Sequence, residues 1–93
     1  MTNITVTVVE NRVLDIGTWS EIICPDAQTK KVVKAALFSV GHKPSTESET
    51  NLSYVNIDTR EVKRILATSA KRMREDQKLL EQIKVEEGEP VFA

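Results

Sequence analysis

The chain is short of the residues that staple, punctuate or catalyse. Its 93 residues hold one cysteine, one histidine, three glycines, three prolines and four aromatic rings, those of Trp19, Phe38, Tyr54 and Phe92. Each shortage excludes something. A lone Cys24 cannot form an internal disulfide, so no disulfide framework holds the fold. One histidine and one cysteine, with no Cys-x-x-Cys or His-x-x-x-His spacing, cannot supply a structural zinc site. Three glycines do not make a phosphate-cradling loop, and no Gly-x-Ser-x-Gly turn is present. No metal, no other cofactor and no enzymatic activity are expected. Four rings leave the core to aliphatic side chains, with Trp19 expected among them.

Long apolar runs are missing too. None approaches the roughly 18 residues of a membrane span. The opening stretch MTNITVTVVENR lacks the basic-then-apolar order of a secretory signal. A cytoplasmic protein with no membrane partner is the expectation. On that basis the Asn-x-Ser/Thr triplets at Asn3 and Asn51 are chance matches rather than glycosylation sites.

No charge of one sign dominates. Thirteen basic and fourteen acidic residues give a net charge of −1, where a dedicated nucleic-acid binder usually carries a basic excess. The distribution is uneven: residues 60–84 hold eight basic and four acidic groups, leaving five and ten for the rest of the chain.

What is present reads as an α+β domain with a small antiparallel sheet. Residues 3–9, NITVTVV, place Ile4, Val6 and Val8 on one face of a strand. Residues 10–12 are read as a turn and 13–16 as a second strand closing a hairpin; 18–24 read either as a third strand of a meander or, with Trp19, Ile22 and Ile23 at helical spacing, as helix. Asp26 caps a helix over 27–40, which Gly41 and Pro44 end. Residues 45–51, STESETN, contain no apolar side chain and read as a solvated loop. Residues 52–57 form the next strand. Asp58 then opens a capping box, with Glu61 reaching back. With no glycine or proline until Gly88 and Pro90, one long helix is predicted over 59–86, about 40 Å from end to end. It projects from a single domain of residues 1–87, and 88–93 form a flexible tail.

That helix carries the functional expectation. At 100° per residue, Arg60, Arg64, Lys71, Arg74 and Lys78 share one side, either the solvated side that any amphipathic helix has or a surface for an acidic partner or for phosphates. Positions 62, 66, 69, 73, 76, 80 and 83 make a heptad seam of Val, Leu, Ser, Met, Asp, Leu and Ile. Met73, Leu79, Leu80 and Ile83, with Phe92 of the tail, are the candidate interface to a second copy or another protein. His42 follows a helix end, where a structural role suits it. Cys24 would be a nucleophile only with His42 as its base; a buried small side chain is the default. The sequence therefore points to a non-catalytic protein-binding module, a small self-associating accessory or inhibitory factor. The alternative is a nucleic-acid binder using the basic stripe.

Overall fold

β-Branched residues at every position from Ile4 to Val9 commit the N-terminal stretch to a strand, and pairing extends it further than propensity alone. The computed structural model describes residues 3–13 and 17–89. Strand β1 (Ile4–Val13) runs antiparallel to β2 (Gly17–Ile23), with Thr7 opposite Ile23 and Val13 opposite Gly17. The turn expected at 10–12 is therefore strand. Asn11 and Arg12 gain cross-strand partners in Trp19 and Thr18, and such pairing outweighs their low intrinsic preference. Of the second strand expected at 13–16, Val13 belongs to β1 and the remainder lies outside the described residues. The third expected strand is β2.

Helix α1 (Ala27–Ser39) forms much as its caps dictate. Asp26 accepts a 2.7 Å hydrogen bond from the Thr29 N–H. At the other end Gly41 takes φ +94, and the N–H of His42 donates to the Leu37 carbonyl at 3.0 Å, satisfying groups that helix ends leave orphaned. The stretch read as an unstructured loop holds the two-residue strand β3 (Thr46–Glu47), paired with β4 (Asn51–Val55). Glu47 binds both Lys30 and Lys34 of α1, at 3.1 and 2.6 Å.

The largest correction concerns the C-terminal half. The predicted 59–86 helix is instead α2 (Thr59–Arg72), a 3-10 turn (Arg74–Asp76), the short α3 (Gln77–Gln82) and a strand, β5 (Ile83–Gly88). Met73 leaves helical geometry at φ −96, ψ 86. The sheet supplies the reason. β5 lies parallel to β1, with Ile4 beside Ile83 and Val9 beside Gly88, and a parallel neighbour demands a crossover. The chain leaves β4, passes over β2 and β1 as α2, and must turn at residues 73–76 to re-enter the sheet. The radius of gyration is 12.6 Å, too small for a projecting 40 Å rod. Gly88, expected to stop a helix, ends a strand.

The sheet is thus five-stranded and mixed, in the order β3-β4-β2-β1-β5, rather than small and purely antiparallel. One face, bearing Val6, Val8, Ile22, Leu52 and Tyr54, is sealed by Val33 and Leu37 of α1 and Val62 and Leu66 of α2. The other face, bearing Thr7, Val9, Trp19, Ile23 and Val55, has no described element over it. Trp19 stands 36% exposed beside Val55, so the ring expected in the core is on the open face, and Ile22 takes the core position.

Candidate interaction surface

Small residues on α2 leave a hollow next to the sheet edge. Leu66, Ala67 and Ala70 share the side of α2 nearest β5. With Leu80 of α3 and Ile83 and Val85 of β5 they line an apolar groove of about 400 Å³. Lys63, Lys71 and Glu81 stand at its rim, and among the described residues neither lysine has an ion-pair partner. The groove opens beside the outer edge of β5, where no described strand pairs. Alternate residues of β5 there present N–H and C=O groups that β1 does not use, a template for strand addition.

The break at Met73 redistributes the residues singled out from the sequence. Leu80 is 4% exposed and belongs to this chain's own core, while Met73, Leu79 and Ile83 pack partly against it. They do not form a heptad seam facing outward. Of the expected interface only Leu80 and Ile83 line the groove. Phe92 lies outside the described residues. The basic stripe is also divided: Arg60, Arg64 and Lys71 share a face of α2, whereas Arg74 lies in the 3-10 turn and Lys78 on α3. Carboxylates interrupt what remains. Arg64 is 3.5 Å from Glu61, and Arg60 shares a polar recess with Glu10, Thr18, Asp58 and Glu87.

That recess serves the fold. Asp58 accepts from the Glu61 N–H at 2.8 Å, as a cap should, and Glu10 Oε1 accepts from the Thr59 N–H at 2.5 Å. Glu10 of β1 thus satisfies a further N–H of the first turn, that of Thr59, and Glu61 lies toward Arg64. A link across 49 positions leaves no local pattern to read. Among the described residues no group of three or more His, Cys, Asp or Glu side chains is placed to hold a metal ion. No helix among them is long and apolar enough to cross a membrane.

Cys24 is 5% exposed at the end of β2. Burial pushes its thiol up to about 12, with nearby Asp26 adding and Lys30 subtracting. A thiol held protonated at neutral pH is a poor nucleophile. The sequence reading missed Lys84, Val85 and Glu86. Their signal was the period-2 alternation of IKVEE, masked by an equally good helical register for Leu80 and Ile83. No family model matches this chain, and no curated protein does either.

Proposed function

We propose that this protein is a non-catalytic protein-binding module whose contact surface is the α2–α3–β5 groove together with the adjacent open edge of β5. The observation that carries the reading is the juxtaposition of the two: an apolar hollow lined by Leu66, Ala67, Leu80, Ile83 and Val85 next to the outer edge of the six-residue β5, which no described strand pairs. A peptide or strand laid along β5 gains main-chain hydrogen bonds, while its alternate side chains enter the hollow. Lys63 and Lys71 at the rim, without ion-pair partners among the described residues, favour an acidic approach. The nucleic-acid alternative is weakened by the division of the basic stripe and by the carboxylates beside Arg60 and Arg64.

Ala67 is exposed and lines the groove, so Ala67→Glu alters the surface without touching the core. Capture from the native host with wild-type protein beside Ala67→Glu tests the reading. Loss of a bound protein in the variant supports it; equal capture by both overturns it. An Arg60/Arg64 reversal, which leaves the groove rim intact, separates the alternative. Phosphate binding would weaken steeply with salt, with a log–log slope of roughly −0.9 per contact on duplex DNA, and would vanish in that variant alone.

A further inference from the structure

We infer that the partner for the β5 edge is a second copy of this chain, added antiparallel about a two-fold axis through Val85. The inference rests on the reading of the groove and edge as a contact surface and names its occupant.

The charges of β5 select the register. Antiparallel neighbours that face each other point to the same side of a sheet, so a symmetric pairing must centre on a residue of the strand. Centring on Lys84 sets two ammonium groups against each other. Centring on Glu86 does the same with two carboxylates. Centring on Val85 places Lys84 opposite the partner's Glu86 and Glu86 opposite the partner's Lys84. Opposite charges directly across a ladder stabilise it and like charges destabilise it. Lys84 and Glu86 are exposed and already lie 3.6 Å apart within the strand. The two-fold converts that pair into a closed square of alternating sign on the open face.

The groove side fits the same register. Val85 meets the partner's Val85, covering a side chain that is only partly buried in one chain. Ile83 meets the partner's Glu87. That brings a carboxylate to the groove where Lys63 and Lys71 stand at the rim. Two independent sets of charges, one on each face, thus agree on one arrangement. The product is a continuous sheet of two five-stranded halves with no long free edge at its centre.

Sedimentation velocity over a concentration series tests this with wild type, Lys84→Glu, Glu86→Lys and the double swap Lys84→Glu/Glu86→Lys. The three variants change only exposed side chains, and circular dichroism checks that each is folded. Wild type should be a dimer that dissociates on dilution. Each single reversal creates two like-charge pairs and should weaken it roughly tenfold or more. The double swap should restore wild-type dissociation, because the square keeps its alternation. A wild-type monomer throughout the series overturns the inference, as does a dimer that wild type and all three charge variants form equally well. So does a dimer lost on Trp19→Ala, which would place the contact on the open face. A monomer that still captures another protein through Ala67 leaves the groove reading standing while removing this one.

Discussion

The two edges of the sheet are built on different terms. At one edge β3 is two residues long, and its Glu47 is clamped by Lys30 and Lys34 of α1. Short edge strands held by charge are a standard defence against unwanted strand addition. At the other edge β5 is six residues long, contains no proline, and faces a hollow rather than a helix. A protein that blunts one edge and leaves the other long has one edge available for use. The two edges also differ in what fastens them: apolar packing holds β5, and ion pairs hold β3. That difference is open to direct attack by substitution.

The largest effect should come from Leu80→Ala. Leu80 is buried in the core and joins α3, and so the start of β5, to α2. Removing it should cost about 2–5 kcal/mol in chemical denaturation, the range for truncating a buried leucine. A loss below about 0.5 kcal/mol, the level of an ordinary surface change, would mean that the β5 edge is not fastened by packing. Gly88→Val comes next. A Cβ at Gly88 would lie 2.8 Å from methyl carbons of both Thr7 and Val9. Stiff β-branched neighbours cannot easily yield, so overpacking should cost about 1–3 kcal/mol and loosen the end of β5 first. Amide exchange would show that loosening as earlier loss of protection at Glu86 and Glu87 than at β4.

These same elements show how far the sequence could be read. α1 was legible to within a residue because its signals are local: Asp26, the apolar spacing of Val32, Val33, Ala36 and Leu37, and Gly41. Ile4, Val6 and Val8 were legible as one face for the same reason. The C-terminal half was not, because nothing within residues 59–86 breaks a helix. The break at Met73 is imposed by β1, which pairs with Ile83–Gly88 from more than 70 positions away. One clue was present: a rod of about 40 Å does not suit a domain of this size. Projection was one resolution of that mismatch, and folding back was the one adopted. As for the candidate surface, Leu80 and Ile83 were singled out, but the groove needs Ala67 and Val85, whose meeting depends on the same fold-back.

A smaller effect is expected between the edges, at Tyr54 of β4. Its hydroxyl is buried with no hydrogen-bond partner among the described residues, and burial raises its ionisation above the ordinary value of 10.0. Removing an unsatisfied buried hydroxyl relieves a desolvation cost. Tyr54→Phe should therefore leave stability unchanged or raise it by up to about 1 kcal/mol. A marked loss in thermal unfolding would show that the hydroxyl has a partner.

The smallest effect, and the one that best separates the edges, belongs to Glu47. Hydrogen bonds from Lys34 and then Lys30 hold its carboxyl below the ordinary value of 4.5. A carboxylate whose folded value is depressed stabilises the fold fully above its unfolded value. That contribution is lost as pH falls through the lowered folded value. The stability difference between wild type and Glu47→Gln should accordingly be level from pH 7 down to about pH 5 and shrink toward zero in more acid solution. Glu47 is solvent-exposed, so the difference should be small throughout and should fall further with added salt. Leu80→Ala, measured over the same pH and salt range, should show neither dependence. If Glu47→Gln proved insensitive to both, the β3 edge would be held by packing like its counterpart, and the contrast between the edges would reduce to strand length.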